Sequence, residues 1–314
     1  MVKIMPKVSI IIPTYNVAPW IEETLKSVSL QTSRDFECII IDDMSTDDTY
    51  NIINEFIKGD RRFKLFRNKK NEGVSYTRNY GIQMSQGKYI SFLDGDDIWH
   101  HRFLEKMLGI IEKKNAWLSY SRFALFTDKT NIRKQLVWNN LLRTGNIWWD
   151  MLMITEFHLC SCLVKSDIVR KIKGFDLNLR IGEDRDFLLQ LMELICNTHI
   201  DKICGIDEEL LFYRQRAGSA VRNAQEALSK EWHMMYAHIE HPGIPHFIRK
   251  RAWSFLAFKM AVIASFGAKD LKTAIRWYVK AVKYDMLNIN LYWLPILKIL
   301  KIIFQKNEKI KFYE

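Results

Sequence analysis

The stretch "YISFLDGDDIWH", residues 89–100, joins a run of mostly apolar residues to three carboxylates packed within four positions. The apolar half does not alternate with polar residues. This pattern predicts a strand that is buried on both faces, as in a parallel sheet covered by helices. The carboxylates are those of Asp94, Asp96 and Asp97. Within the sheet each would cost several kcal/mol, so we expect them at the end of the strand, where they can meet solvent or a ligand.

Two earlier apolar runs end in polar residues in the same way. "VSIII" (8–12) leads into "PTYN", and "CIII" (38–41) leads into "DDMSTDD". Helical patterns lie between the runs, at 19–30, 47–58 and 74–85. This alternation predicts an α/β doubly wound domain. Because ligands bind outside the carboxyl ends of such strands, we expect the three polar clusters to share one ligand-binding edge.

The rest of the chain shows a mixed pattern and then a purely helical one. A predicted helix over 101–114 is followed by strand-like segments at 116–126 and 159–165, an irregular segment at 137–151 between them, and an amphipathic helix that begins near Glu183. Beyond about Ala220 we predict only helices, at 223–239, 245–265, 270–284 and 292–305. The predicted domains are therefore 1–220, an α/β domain, and 221–314, a helical C-terminal region.

Composition narrows the class of protein. With 314 residues, of which 48% are hydrophobic, the chain is long enough to bury a large core. Its five cysteines include no CxxC pair, so neither a disulfide framework nor a zinc knuckle is indicated, and a reducing cytoplasm fits best. The N-terminus lacks the apolar region of a secretory signal, and no run reaches the length that a membrane span needs. We therefore expect a cytoplasmic protein.

The positive charge is concentrated near the C-terminus. The formal net charge is +11, and residues 231–314 hold 14 Lys and Arg against 6 Asp and Glu, a net of +8. Lys298 and Lys301 lie amid apolar residues near Trp293, a pattern that fits a helix in a membrane interface; the alternative is a helix packed on the catalytic domain. We expect a peripheral contact with the inner face of the plasma membrane. No nucleic-acid-binding motif accompanies the basic residues, so no nucleic acid is expected.

The spacing of the acidic residues indicates a metal and a phosphate. Asp94 and Asp96, two positions apart at a strand end, are expected to point to the same side. Mg²⁺ and Mn²⁺ bind one or two carboxylates together with substrate phosphates, so the pattern fits a metal–diphosphate site. Asp42 and Asp43 can accept hydrogen bonds from a ribose hydroxyl or a base N–H. The alternatives are solvated loops and helix caps, with Ser45 and Asp48 forming a capping-box-like start of the helix after strand two.

Four segments together resemble the successive motifs of family 2 glycosyltransferases, which are inverting enzymes of the GT-A fold. They are "VSIIIPTYN", "DDMSTDDT", "NEGVSYTRNYGIQMSQGKYISFLDGDD" and "GEDRDF". The match runs from residue 8 to about residue 220 in the order and spacing of the family. It implies a GT-A (Rossmann-like) sheet, mixed but mostly parallel and flanked by helices, with an α-helical C-terminal extension.

The resemblance also implies residues that bind the nucleotide-sugar donor. Pro13, Tyr15 and Asp42 or Asp43 resemble the residues that hold the nucleobase and ribose, with Tyr15 against the base. Arg78 resembles an arginine near the base and the diphosphate. The donor implied is a nucleotide-diphosphate sugar, with UDP as the expected nucleotide.

Metal binding is implied at the acidic strand end. Asp96 resembles a direct ligand of the divalent metal, Mn²⁺ or Mg²⁺, and Asp94 is similar to a residue that touches both ribose and metal. Gly95, between them, would let the diphosphate approach the backbone. In "FYRQRAGSAV" (212–221), Arg214 and Ser219 resemble groups that close over the diphosphate. The family often has histidine where Gln215 or Arg216 stands, and this chain departs from it there.

The acceptor side is implied by "GEDRDF" and by a tryptophan pair. Asp184 resembles the general base, which takes the proton of the acceptor hydroxyl during a single inverting displacement. Glu183 resembles a neighbour that shapes the acceptor site, and Trp148 and Trp149 are candidates for a stacking platform there. The acceptor expected is an oligosaccharide or a lipid-linked sugar, such as a polyprenyl-diphosphate-linked sugar in surface-polysaccharide synthesis. The oligomeric state is open, with a homodimer as one option.

Two other functions fit part of the pattern. A DxD-type phosphohydrolase would use Asp94 as its nucleophile, and a non-enzymatic membrane-surface binding protein would use the basic C-terminal region. For a transferase we expect titration calorimetry to detect binding of one of UDP, GDP, dTDP and CMP. Failure of all four to bind, with and without Mn²⁺, would exclude the transferase. Hydrolysis that is lost in Asp94→Asn would favour the phosphohydrolase.

Overall fold

The computed structural model describes residues 5–127, 130–134, 158–179, 182–198, 202–216, 235–236, 238–241, 244–266 and 271–284. The chain forms two compact units, residues 1–238 and 239–314. The predicted boundary after residue 220 falls within 217–234, outside the described residues.

One sheet of nine strands forms the centre of the first unit, as far as the structure describes it. The strands are β1 (Val8–Thr14), β2 (Phe36–Asp42), β3 (Phe63–Arg67), β4 (Tyr89–Phe92), β5 (Ile98–Trp99), β6 (Leu118–Thr127), β7 (Thr130–Lys134), β8 (Cys162–Lys165) and β9 (Ile203–Arg214). Their order is β3-β2-β1-β4-β8-β6-β9-β5, and β7 pairs with β6. Six strands run in one direction and β5, β7 and β8 in the other. The predicted mixed, mostly parallel sheet is confirmed.

Helices cover this sheet, and all of them except the four-residue helix after β8 follow the predicted pattern. They are α1 (Ile21–Ser29), α2 (Thr49–Phe56), α3 (Val74–Met84), α4 (Phe103–Lys113), α5 (Ser166–Val169) and α6 (Glu183–Thr198). Every residue of β1 and β2 is buried, which explains why these strands lack the alternation of a sheet that faces water on one side.

Strand register brings the ends of β1 and β2 together. The two strands pair in parallel from Val8 with Phe36 to Thr14 with Asp42. β4 joins the other side of β1 in the same direction. The segments after Thr14, Asp42 and Phe92 therefore leave the sheet at one edge, as predicted for the three polar clusters.

Strand β9 was not predicted from the sequence. Its middle carries Asp207, Glu208 and Glu209, so it lacks the continuous apolar run of the other central strands. It pairs in parallel with β6 and antiparallel with β5. This pairing brings Arg214, the last residue of β9, beside the segment that joins β4 to β5.

The second unit contains two long described helices, α7 (His246–Phe266) and α8 (Leu271–Tyr284), which match two of the predicted ones. The Ser254 hydroxyl of α7 donates to the Ala281 carbonyl of α8 at 3.0 Å, and Trp253 stacks on Tyr284. The predicted helix at 292–305 lies outside the described residues. Among the helices that are described, none combines the length and the apolar character that crossing a bilayer requires.

Two glycines inside helices test how closely α3 packs on the sheet. A Cβ on Gly81 of α3 would overlap Ile11 Cγ2 and lie 3.1 Å from Ile41 Cδ1, whereas a Cβ on Gly109 of α4 would meet nothing within 4 Å. We expect Gly81→Ala to lower the free energy of unfolding by about 1–3 kcal/mol. Gly109→Ala should raise it by up to about 1 kcal/mol, because alanine favours the helix. Urea denaturation measures both, and equal effects would contradict the packing.

Candidate active site

The loops that follow β1 and β2 are tied to each other. The Asn16 N–H donates to Ser45 Oγ at 3.1 Å, and Asn16 Oδ1 accepts from the Thr46 N–H at 2.9 Å. The Val17 N–H donates to Thr49 Oγ1 at 2.8 Å. Asn16 has a φ of +52°, which asparagine tolerates better than most residues. The loops after β1 and β2 therefore form one surface at the edge of the sheet.

Asp42 is committed to the scaffold of this edge. Its side chain is fully buried and lies 2.9 Å from Arg67 Nε, and it also accepts from the Ser45 N–H. Ser45 is not the cap of α2, contrary to the sequence-based alternative. The cap position is Asp48, and no side chain caps the helix there.

Asp43 organises the approach to α3. Its carboxylate accepts from Asn68 Nδ2 at 2.7 Å, from the Glu72 N–H at 2.9 Å and from the Gly73 N–H at 2.8 Å. Gly73, with a φ of +90°, precedes the first residue of the helix. Three of the acceptor positions of Asp43 are thus filled by the protein itself.

Pro13 and Tyr15 differ in their access to ligands. Pro13 lies within β1, is buried and pairs with Ile41. The Tyr15 side chain, at 45% exposure, is open at the carboxyl edge, as is Met44 at 41%. Of the residues predicted to hold the nucleobase, Tyr15 is therefore the one whose ring is free to meet a base.

The acidic cluster lies in a turn rather than in a strand. β4 ends at Phe92, and the Asp97 N–H donates to the Asp94 carbonyl at 3.1 Å. The argument that strand geometry points Asp94 and Asp96 to the same side is therefore wrong, because the turn and not the strand sets their directions. Gly95 is buried, and a Cβ there would lie 3.1 Å from Val17 Cγ2. A side chain at this position would therefore press against Val17 and Thr14, whose methyl groups lie 3.1 and 3.2 Å from the Cβ position.

Arg78 connects the acidic turn to helix α6. Its side chain is 5% exposed, Nη2 donates to Asp94 Oδ1 at 2.8 Å, and Nη1 donates to Glu183 Oε1 at 3.0 Å. Burial lowers the pKa of Arg78, but the charges of Asp94 and Glu183 outweigh it and raise the pKa above its usual value. Burial raises the pKa of Asp94, but its neighbours, with Arg78 foremost, together outweigh burial, so the pKa of Asp94 lies below its usual value. Arg78 is therefore a buried ion-pair partner and not an exposed residue on the surface of α3.

Two further arginines contact the same turn. Arg216 Nε lies 2.8 Å from Asp96 Oδ2, and the Arg216 guanidinium stacks over the Trp20 ring at 4.8 Å. Arg214 Nε donates to the Asp96 carbonyl at 2.8 Å, and the Arg214 N–H donates to Asp97 Oδ1 at 2.9 Å. Arg214, which the family resemblance implies near the diphosphate, thus lies at the acidic turn. The sequence did not single out Arg216, whose role depends on the end of β9.

Asp97 braces the turn from inside the protein. Its side chain is fully buried, and Oδ2 has no hydrogen-bond partner among the described residues. Burial raises the pKa of Asp97 well above its usual range, and the charges of Asp94 and Asp96 act in the same direction. The neutral carboxylic acid is therefore favoured. Asp97 does not cap the following helix α4, whose cap position is Arg102.

His158 and Cys160 also lie at this site, although no sequence motif marked them. Together with Asp97 they place three potential ligand atoms within 4.8 Å of one another, the one such group among the described residues. Burial lowers the pKa of His158, against the opposing charges of Asp184 and Asp94. These residues reach the turn because the segment leading into β8 lies beside β4, a pairing that sequence spacing does not reveal.

Neither candidate metal position fits Mn²⁺ or Mg²⁺ as the side chains stand. At the predicted position, Asp94 and Asp96 are each paired with an arginine. At the second position, a thiol is a soft ligand that hard cations disfavour. Burial also raises the pKa of both Cys160 and Asp97, so protons would have to leave before a metal could bind.

Helix α6 presents the predicted base. It begins at Glu183, directly after Gly182 with a φ of +82°, so Asp184 lies in the first turn as predicted. Burial and the charge of Asp184 raise the pKa of Glu183, while Arg78 opposes them. Asp186 faces elsewhere and lies 2.9 Å from His238 Nε2. Trp148, Trp149 and Ser219 lie outside the described residues.

Comparison with known proteins decides the family. Residues 9–173 match the model of Glycosyl transferase family 2. The putative teichuronic acid biosynthesis glycosyltransferase TuaG of Bacillus subtilis is 30% identical over 254 residues, which cover 81% of this chain and 94% of TuaG. The chain belongs to glycosyl transferase family 2. The resemblance identified from the motifs is confirmed.

Other family 2 members match parts of the chain. The poly(ribitol-phosphate) beta-N-acetylglucosaminyltransferase TarP of Staphylococcus aureus is 42% identical over 197 residues, 60% of this chain and 58% of TarP. An uncharacterized glycosyltransferase of Rickettsia conorii is 33% identical over 213 residues, which cover 68% of this chain. The match covers only 33% of that longer protein.

Solved structures confirm the GT-A fold of this family 2 chain. The crystal structure of S. aureus TarS 1–349 in complex with UDP-GlcNAc superposes with a TM-score of 0.65 at 18% identity, over 90% of this chain and 83% of TarS. The mannosyltransferase PcManGT from Pyrobaculum calidifontis, in complex with GDP-Man and Mn²⁺, gives a TM-score of 0.60 at 16% identity. It covers 97% of this chain and 89% of the mannosyltransferase.

The buried acid Asp97 should make stability depend on pH. Its raised pKa keeps the proton in the folded state, whereas the unfolded chain loses it near about pH 4. Above that pH, wild-type stability should fall by up to about 1.4 kcal/mol per pH unit until the folded pKa is reached. Because Asp97→Asn does not titrate at this position, the difference in free energy of unfolding between the variant and wild type should shift in favour of the variant as the pH rises above about 4.5. Urea unfolding measures this, and a constant difference would mean that Asp97 is charged when folded.

Proposed function

We propose that this protein is an inverting glycosyltransferase that moves a sugar from a nucleotide diphosphate to a hydroxyl of a glycan. One observation carries the proposal. The guanidinium of Arg78 forms ion pairs with both Asp94 and Glu183. Asp94 lies at the proposed nucleotide-binding edge of the sheet, and Glu183 lies in the first turn of α6. This bridge keeps the predicted donor residues and the predicted base Asp184 in one site, although they lie far apart in the chain.

The donor is a nucleotide-diphosphate sugar, with a UDP-sugar as the leading candidate. Tyr15 offers an exposed ring for the base at the edge of the sheet, and Arg214 and Arg216 supply positive charge at the acidic turn, where a diphosphate would lie. TarS, which shares the fold, has been crystallised with UDP and with UDP-GlcNAc. These observations support a nucleotide sugar and leave the sugar itself open.

Transfer proceeds by a single displacement. The acceptor hydroxyl attacks the anomeric carbon, the bond to the β-phosphate oxygen breaks, and its electron pair leaves with the nucleoside diphosphate. Asp184 takes the proton of the hydroxyl as the new glycosidic bond forms. Because attack comes from the face opposite the leaving group, the anomeric configuration inverts. The arginines stabilise the negative charge that develops on the diphosphate.

The acceptor is a cell-surface polymer or its lipid-linked precursor. Two relatives carry names that support this acceptor class: TuaG is named as a putative teichuronic acid biosynthesis glycosyltransferase, and TarP as a poly(ribitol-phosphate) beta-N-acetylglucosaminyltransferase. The net charge of +8 in residues 231–314 supports contact with an anionic membrane, which would place the protein on the inner face of the plasma membrane. A phosphohydrolase is less consistent with the site, because Asp94, its expected nucleophile, forms a 2.8 Å ion pair with Arg78.

Two acids that lie two residues apart in the first turn of α6, Asp184 and Asp186, test the assignment of the base. Asp184→Asn should keep nucleotide affinity but lower the transfer rate about 100-fold or more, because the amide cannot take a proton. Asp186→Asn is the matched control, since Asp186 contacts His238 and Gln190 instead. Mass spectrometry of product from a panel of sugar nucleotides and lipid-diphosphate-linked acceptors measures the rate. Equal loss in both variants, or none in Asp184→Asn, would overturn the role of Asp184.

A further inference from the structure

The acidic turn is already balanced by positive charge from the protein. Arg78 pairs with Asp94, Arg216 pairs with Asp96, and the main chain of Arg214 donates to Asp97. The carboxylate that the family resemblance assigns to a metal therefore has a guanidinium as its partner. A divalent cation on Asp96 would compete with Arg216 for the carboxylate and would stand close to three arginines, which repel it.

Arg216 is held in place rather than loosely exposed. Its Nε meets Asp96 Oδ2 at 2.8 Å, and its guanidinium plane lies over the Trp20 indole. Its side chain is 31% exposed, so one side of the group stays accessible. The ion pair uses Nε, and the other N–H donors of the guanidinium lie on its two terminal nitrogens. Such a fixed fork suits the oxygens of a diphosphate.

Arg214 strengthens the same arrangement from the buried side. Its side chain is almost fully buried, Nη2 pairs with Glu23 Oε2 at 2.5 Å, and its guanidinium stacks over Phe126. Because Arg214 Nε also donates to the Asp96 carbonyl, the backbone that carries Asp96 is fixed relative to β9. The end of β9 thus sets the positions of both Asp96 and Arg216. Arg216 follows Arg214, the last residue of β9, by two positions.

We propose that Arg216 takes the place of the divalent metal in this protein, and that Asp96 positions Arg216 instead of ligating a metal. The inference rests on the proposed transferase function. When the bond between the anomeric carbon and the β-phosphate oxygen breaks, the electron pair stays on that oxygen, and Arg216 neutralises and hydrogen-bonds the departing diphosphate. Asp184 accepts the proton of the acceptor hydroxyl, so atoms and charges balance without a metal ion.

Nucleotide binding provides the first test. Full-length wild-type protein is titrated with UDP, GDP, dTDP and CMP by calorimetry, once in EDTA and once in Mn²⁺. We expect the nucleotide that binds to show the same Kd in both buffers, within about twofold. Binding that appears only with Mn²⁺ would overturn the role of Arg216 and leave the transferase proposal intact. If no nucleotide binds in either buffer, the transferase proposal fails and this inference fails with it.

Variants at Arg216 provide the second test. In EDTA, Arg216→Gln should lower the affinity for the nucleoside diphosphate by about tenfold or more, while the affinity for the corresponding nucleoside stays the same. Arg216→Lys should retain part of the diphosphate affinity, because it keeps the charge without the fork. Arg102→Gln is the matched control, since Arg102 forms an exposed ion pair with Glu105 on α4. An unchanged diphosphate affinity in Arg216→Gln would overturn the proposal.

A direct measurement of metal binding distinguishes the two possible roles of Asp96, metal ligand and positioning partner of Arg216. Electron paramagnetic resonance of free Mn²⁺ should show no tight binding to wild type, because Arg216 occupies Asp96. In Arg216→Gln the carboxylate is released, and added Mn²⁺ should bind and recover part of the lost diphosphate affinity. Tight Mn²⁺ binding by wild type that is lost in Asp96→Asn would show that Asp96 is a metal ligand after all.

Discussion

The site depends on one buried guanidinium. Arg78, at 5% exposure, bridges Asp94 after β4 and Glu183 at the start of α6, and all three side chains are largely removed from water. Removing one partner from such a buried network typically costs about 3–5 kcal/mol, because it leaves an uncompensated charge. The bridge therefore holds the donor edge of the sheet and the helix of the predicted base in a single arrangement. The geometry of the proposed site and the stability of the fold therefore depend on the same contact.

Charge balance around the turn explains what its three aspartates do. Each has a different partner. Asp94 forms an ion pair with Arg78, Asp96 forms one with Arg216, and Asp97 accepts a hydrogen bond from the backbone N–H of Arg214. Burial raises the pKa of Asp96, the charge of Asp94 adds to the shift, and Arg216 opposes it. The same residue type thus serves as an ion-pair partner twice and as a neutral, buried brace once. The surroundings decide the role, and the surroundings come from β9 and α3 as much as from the turn itself.

Local pattern was sufficient for the frame of the fold. The uninterrupted apolar runs of β1, β2 and β4 predicted buried parallel strands, and the polar segments after them predicted the ligand edge, because both features depend on neighbours in the chain. β9 was missed, since its middle is acidic, and the spacing argument for Asp94 and Asp96 failed because β4 stops at Phe92. Asp42 and Asp43 were placed at the correct edge, but their hydrogen bonds to Ser45, Asn68 and Gly73 became visible only in the folded chain.

The sequence by itself determined the fold class, the order of the motifs and the family, because apolar periodicity and motif spacing are properties of the linear chain. Tertiary structure alone decided the partners of the charged groups. Arg78 meets Glu183, Arg216 meets Asp96, and Asp97 lies near His158 and Cys160, each across a long stretch of chain. The energy of a charge depends on burial and on the nearest opposite charge. Neither quantity exists until distant strands and helices have packed together.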